Sequence, residues 1–478
     1  MCAKYDVAPT PPMGWNSYDY YNTMVTEADV RANALYMAQH LKQYGWQYVV
    51  VDIQWSDPNA GALVPAVQYV PFTQFCLDEY SRQIPAPNRF PSSVGGKGFA
   101  PLADYVHSLG LKFGIHIMRG IPRICAHNHT KLLGTDATAD KIANPFSVCK
   151  WNGDMYGVDF TRDAAAAQAY YDSLFALYAS WGVDFVKVDD ICNTNLYADN
   201  PYSAQREIEA IAHAIERSGR PMVLSLSPGP AVIEKAWHLE RYATMWRITD
   251  DFWDDWRLLK AMFERCEVWQ RHVGAGCWPD CDMLPLGKLG KGFGGERDTH
   301  FTDAEQRTML TLWCMFRSPL MLGAELTKLD DKTLSLLTNR DVLSLLTDSC
   351  GAEQVRRDDT SAIWKSHAVV VNDAAANKRR AGLLAAASRC NARVVTTSAA
   401  AVDSQSLYVA LFNLADTEAT VAVSYAELAL AASTVYQVRD LWAQCDIAPI
   451  PATADECAAV LSVTLPAHGA AAYRLQPQ

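Results

Sequence analysis

Apolar and polar positions fall into a strand–helix rhythm over the first 345 residues. Short unbroken apolar runs, such as Tyr48-Val49-Val50-Val51, alternate with longer stretches that are apolar on one face only. The first helical stretch opens at Thr26-Glu27-Ala28-Asp29, a capping box with Asp in the Glu place. It carries Val30, Ala34, Met37, Ala38 and Leu41 on one face and stops at Gly45. The same spacing predicts helices near 102–109, 164–180, 204–218, 231–239, 254–267 and 303–315. Apolar strands are predicted to start near residues 12, 47, 111, 183, 222, 243, 268 and 317. Continuous apolar strands belong to a parallel sheet covered by helices. Eight such βα units predict a (β/α)8 TIM barrel over residues 1–345, with a polar loop at 56–97 and a long insertion at 119–159.

Beyond 345 the pattern changes to short alternating runs at 362–365, 407–413, 420–424, 434–439, 460–465 and 471–475. Alternation with regularly spaced turns predicts an antiparallel β-sandwich domain over 346–478. Residues 347–360 read as a charged, irregular linker, and the Ala-rich stretch 385–401 carries no assigned element.

Several predicted strands end on polar groups: Asn16, Asp52, His116, Lys187 with Asp189, Ser227, and Arg247 with Asp251. In a barrel the C-terminal strand ends face one shared pocket, so these groups converge. Phe185-Val186-Lys187-Val188-Asp189-Asp190 is the densest case. A Lys in so apolar a strand needs an ionic partner, and Asp189 or Asp190 is the nearest. Read alone, the segment fits a structural salt bridge as well as an active-site pair. The second dense site is Trp246-Arg247-Ile248-Thr249-Asp250-Asp251, followed by Asp254 and Asp255 at a helix start. Two carboxylates flanking one bond suit glycoside hydrolysis, one attacking and the other protonating the leaving oxygen.

Composition narrows the partners. The net charge of −11 disfavours nucleic acid and anionic membranes. No apolar run is long enough to span a bilayer. Met1-Cys2-Ala3-Lys4-Tyr5-Asp6 lacks a hydrophobic signal core, which predicts a cytoplasmic protein. Fourteen Trp and 21 Tyr can serve sugar faces as well as a core. The 13 Cys are scattered without a legible disulfide framework. No zinc-type ligand set is spaced along the chain, so no metal and no cofactor are expected; His116, His127 and His129 would be the groups of a metal-dependent alternative. The composition is compatible with a homo-oligomer.

Pro11-Pro12-Met13-Gly14-Trp15-Asn16-Ser17, Lys187-Val188-Asp189, Trp246 to Asp251, Trp278-Pro279-Asp280-Cys281-Asp282-Met283-Leu284 and Ser318-Pro319-Leu320-Met321 together resemble glycoside hydrolase family 27, the clan D retaining α-galactosidases and α-N-acetylgalactosaminidases. The motifs lie in family order over residues 8 to 345. The resemblance implies an exo-acting hydrolase of glycosides or oligosaccharides that forms a covalent glycosyl-enzyme. Asp189 would be its nucleophile and Asp251 its acid/base, with the Asp251 carboxyl buried and its pKa raised. Trp15, Tyr18, Asp52, His116, Lys187, Ser227, Arg247, Asp280 and Met283 would bind the sugar.

Departures from the family pattern bear on which sugar is bound. Asp52-Ile53-Gln54-Trp55 stands where the family reads Asp-Asp-x-Trp, so one hydroxyl-binding carboxylate is replaced by Ile53. His116 replaces Tyr and Tyr18 replaces Trp. Ser227 is the residue of the N-acetylgalactosaminidases, where galactosidases often carry Glu. Cys192 is one place late for the family's disulfide. Terminal α-galactose is the leading expectation, with α-N-acetylgalactosamine, β-L-arabinopyranose and α-glucose as alternatives. A non-catalytic sugar-binding protein on the same scaffold is the other reading.

Overall fold

The structure, a computed structural model, describes residues 4–70, 72–371 and 400–478. Eight parallel strands follow the chain in order: β1 (Met13–Asn16), β2 (Tyr48–Val51), β3 (Lys112–Met118), β4 (Phe185–Asp189), β5 (Val223–Leu226), β6 (Met245–Arg247), β7 (Trp278–Asp280) and β8 (Leu320–Leu322). From β1 to β7 each strand pairs with the next, and β8 returns to β1 through Met13↔Leu320. The remaining gap is closed just past β7, where the Leu284 N–H donates to the Met321 carbonyl at 2.8 Å. Gly14 is required by close approach: a Cβ there would lie 2.5 Å from the Tyr48 carbonyl oxygen.

Helices cover the barrel as the apolar spacing predicts. Ala164–Ser180, Gln205–Ser218 and Asp303–Phe316 fall within a residue of expectation, and the Thr26–Asp29 capping box forms. The seventh strand does not start near 268. The helix Trp256–Trp269 continues through that point, and the strand is the three-residue Trp278–Asp280. An apolar run of this length does not distinguish a buried helical turn from a strand. The insertion after β3 folds on itself as a small antiparallel sheet of Ile121–Pro122, Met155–Val158 and Ala143–Val148.

The C-terminal part begins as the helix Arg340–Asp348 runs directly into β9 (Ser349–Arg357). The stretch expected to be an irregular linker is therefore a strand. Paired to β10 (Ser361–Val371), it places its charged residues at a sheet edge, where they read as linker. A six-stranded antiparallel sheet continues through β11 (Ala400–Asn413), with β13 (Tyr436–Asp440), β14 (Cys445–Ile450) and β16 (Ala470–Pro477), in the order β9-β10-β11-β16-β13-β14. A separate pair, β12 (Ala419–Ser424) and β15 (Ala459–Leu465), faces it. Alternation along β11 separates two cores: Leu407, Val409 and Leu411 pack inside the sandwich, while Tyr408, Ala410 and Phe412 join the barrel's helical layer. Phe263 and Phe412 meet edge-on with centroids 4.9 Å apart. Of the Ala-rich stretch, 385–399 lies outside the described residues.

Candidate active site

Pleating decides which groups of β4 enter the barrel. Lys187 and Asp189, two residues apart, project to the inside, whereas Asp190 adopts φ +55° and turns away. The partner of Lys187 is neither of its strand neighbours. Its Nζ donates to Asp52 Oδ2 at 3.0 Å, across the barrel from the end of β2. Asp52 also accepts from Asn16 Nδ2 at 2.6 Å and from the Ile53 N–H at 2.8 Å. Burial alone would raise the Asp52 pKa, but Lys187, His116 and these donors outweigh it and hold the carboxyl below its usual value.

Asp189 is bound by a different group. His116 Nε2 lies 3.1 Å from Asp189 Oδ2, and the Asp190 N–H donates to Oδ1 at 2.9 Å. Burial opposes ionisation here too. The His116 contact, the Lys187 charge and the Asp190 amide outweigh it, so Asp189 stays well below the ordinary carboxylate range. Behind it, Arg119 clasps the turn. Its N–H donates to the Asp189 carbonyl at 3.0 Å and its Nε to the Asp190 carbonyl at 2.5 Å. Its guanidinium also pairs with Asp190 at 2.9 Å and Glu207 at 3.1 Å. The left-handed backbone at Asp190 is thus fixed from both sides.

Across the pocket, Arg247 at the end of β6 divides its guanidinium between Asp251 and Asp282, each at 2.8 Å. Asp282 also accepts from the Phe252 N–H at 2.8 Å, which fixes the loop carrying Asp251. The Asp251 side chain is 63 % exposed, against 14 % for Asp189. The expectation of a buried acid is not met, because Asp251 sits on the loop at the pocket mouth.

The cavity between these groups measures about 330 Å³ and is lined by Tyr18, Asp52, Ile53, Lys187, Asp189, Arg247, Asp251 and Met283 among others. Larger hollows lie at the opposite end of the barrel (about 620 Å³) and between barrel and sandwich (about 870 Å³). Neither gathers the strand-end carboxylates, so the smaller one is the candidate site.

Four expected sugar ligands lie elsewhere. Trp15 is fully buried outside the barrel, its Nε1 donating to the Ala324 carbonyl at 2.7 Å and its ring meeting Tyr21. It alternates with Asn16, which faces inward. His116 is buried beneath the pocket, against Asp189. Ser227 and Asp280 line an inner hollow of about 20 Å³ that shares Lys187, Arg247, Asp282 and Met283 with the cavity. The Ser227 hydroxyl is turned to the Val188 carbonyl at 3.5 Å. In the Trp278–Leu284 motif it is Asp282, at φ +77°, that reaches the pocket with Met283.

Sequence reasoning also missed Asp19, Gln68, Tyr69, Trp151, Asn195, Phe252 and Trp253. Asp19 is buried, with Oδ2 unpartnered, and closes the wall where Gly323 has no side chain to exclude it. Asp19 and Trp253 lie within polar clusters visible in the sequence. The loop residues carry no such signal, because their position depends on how the insertions fold back. Cys192 is a free, buried thiol 4.0 Å from the Arg247 carbonyl. His127 ends the helix Arg123–His127, and His129 pairs with Asp140 at 3.0 Å. Among the described residues no three His, Cys, Asp or Glu side chains gather as a metal cluster, and no helix is long and apolar enough to cross a membrane.

Asp280 offers a test of this electrostatic arrangement. Burial, then the neighbouring Asp282 charge, pushes its pKa up to about 7. A free Asp ionises near about 3.9. Its raised folded pKa contributes stability that is complete below about pH 4 and is lost as pH rises towards 7. Asp280→Asn is therefore expected to raise Tm relative to the parent at pH 8 and to leave it nearly unchanged at pH 4. A difference that does not vary with pH in thermal melts contradicts this.

Known proteins similar to this chain share its two-part architecture. A family described as "Alpha galactosidase A" matches residues 153–348, and one described as "Alpha galactosidase C-terminal beta sandwich domain" matches 395–475. Abp, a GH27 β-L-arabinopyranosidase from Geobacillus stearothermophilus, is 48 % identical, with a TM-score of 0.86 covering 99 % of this chain and 98 % of its own. An α-galactosidase of Cyamopsis tetragonoloba is 24 % identical over 479 aligned positions, covering 100 % of this chain and 88 % of its own length. The structure of α-galactosidase I from Mortierella vinacea, 20 % identical over 99 % of this chain and 98 % of its own, shares the fold with a TM-score of 0.67.

Proposed function

Since the chain belongs to glycoside hydrolase family 27, and is therefore a glycoside hydrolase acting on carbohydrate, we propose that it releases terminal β-L-arabinopyranose with retention of configuration. In the first step Asp189 attacks the anomeric carbon. The bond to the leaving oxygen breaks as Asp251 gives that oxygen its proton. In the second, Asp251 takes a proton from water, the water oxygen bonds the anomeric carbon, and Asp189 departs. Lys187, His116 and the Asp190 amide keep Asp189 ionised for attack. Asp52 and Lys187 are offered to ring hydroxyls on the floor of the cavity.

The observation that carries the choice of sugar is the wall around Ile53. Ile53 lines the cavity and packs with Met118, Cys149 and Met155 in a small apolar cluster of its own. β-L-arabinopyranose matches α-D-galactopyranose at every ring hydroxyl and lacks only the hydroxymethyl group. A galactosyl hydroxymethyl against this wall would lose water without gaining a partner, costing about 1–3 kcal/mol. A bare ring carbon would meet apolar contact instead. The 48 % identity to an arabinopyranosidase supports the same reading.

The test compares kcat/KM for 4-nitrophenyl β-L-arabinopyranoside and 4-nitrophenyl α-D-galactopyranoside. The parent should prefer the first. Ile53→Asp should move the ratio towards the galactoside by about tenfold or more. A parent enzyme that prefers the galactoside would overturn the assignment of the sugar.

A further inference from the structure

An aromatic arc runs around the mouth of the cavity, built from loops that follow five different strands. Trp253 meets Phe293 edge-on at 5.4 Å between centroids, and Phe293 meets Tyr18 at 5.5 Å. The Tyr18 hydroxyl lies 3.3 Å from that of Tyr69, whose ring packs on Trp151 at 5.3 Å. The loops carrying these residues follow β6, β7, β1, β2 and β3, so the arc is open only on the side of β4 and β5. There Asn195 and Pro228 complete the lining, with Asp250 beside the Trp253 end. Trp151 is 37 % exposed, although large apolar side chains are ordinarily buried.

The reactive groups assign the arc its side of the substrate. Asp189 is low in the cavity and Asp251 is at the mouth, so the leaving oxygen points outward past Asp251. What it carries must pass between the ends of the arc. We propose that Trp151 and Trp253 form a binding site for the leaving group, and that the group it takes is a second sugar ring. The indole planes match the C–H face of a pyranose, and Asn195 and Asp250 in the gap supply partners for its hydroxyls. An alkyl chain would leave those polar groups without use. The proposal rests on the reading of Asp189 and Asp251 as the reacting pair, but not on which sugar occupies the floor.

The experiment compares two substrates that share the cleaved sugar and differ in the leaving group. One is β-L-arabinopyranosyl fluoride, whose leaving atom does not reach the arc. The other is a disaccharide with β-L-arabinopyranose at its non-reducing end. Trp151→Ala should lower the disaccharide-to-fluoride ratio of kcat/KM about tenfold, chiefly through KM. Trp151→Phe, which keeps a flat ring, should recover part of it. An unchanged ratio in Trp151→Ala overturns the site, whether both rates fall together or neither falls. If the parent hydrolyses the galactosyl fluoride and not the arabinopyranosyl one, the sugar assignment fails by itself and the ratio is read on the galactosyl pair. A parent that turns over neither fluoride overturns both readings.

Discussion

Asp189→Ala is expected to reduce turnover of an activated aryl glycoside by about 10⁴-fold or more, with the fold intact. The size follows from what the carboxylate is proposed to do. In that proposal it supplies the bond of the covalent intermediate, and among the described residues no other side chain is placed to replace it. Asp52 is engaged by Lys187 and Asn16, and Asp190 is turned away towards Arg119. The methyl group of Ala leaves a space beside His116 and Lys187 that a small anion can enter. Azide should therefore restore part of the rate and yield a glycosyl azide of inverted anomeric configuration. Rates in the variant close to those of the parent would remove Asp189 from the mechanism.

Asp251→Ala is expected to have an effect that depends on the leaving group. With a poor leaving group, such as a sugar, the proton from Asp251 is needed, and the loss should be about 10²–10⁴-fold. With 4-nitrophenolate, bond breaking needs little proton assistance. The first step should then survive better, and the second, which needs Asp251 as base, should become limiting. A burst of nitrophenolate is the expected sign. Asp251 is exposed and held by Arg247, so a sugar ring filling the cavity is what would shield it from water. A uniform loss across leaving groups, with no burst, would argue that Asp251 acts only through Arg247.

The strand Phe185–Asp189 illustrates what was legible and what was not. Its apolar residues with one Lys and a terminal carboxylate indicate a barrel strand ending in a reactive site. Strand pleating alone separates Asp189 from Asp190. Local pattern cannot find the partner of Lys187, because that partner is 135 residues earlier, on β2. The role of His116 is hidden for the same reason. Its register opposite Lys187 on the adjoining strand puts its ring against Asp189, which no spacing along β3 reveals.

The apolar periodicity by itself determined the βα rhythm, the alternating strands of the sandwich and the charged strand ends, because these depend on neighbours within a few residues. The segments that carry Asp189 and Asp251, and the substituted Ile53, were legible through ordered motifs. Tertiary structure alone decided which strand ends share the pocket, which sink below its floor, and which loops build its rim. Ser227 and Trp15 stand at expected strands, and Asp280 on a strand displaced from its expected place, yet they face an inner hollow or the helical layer. Tyr69 and Trp151, within long insertions, return to the mouth. The physical reason is closure. A closed barrel brings residues hundreds of positions apart within contact, and strand register, with the packing of loops over the rim, sets their depth.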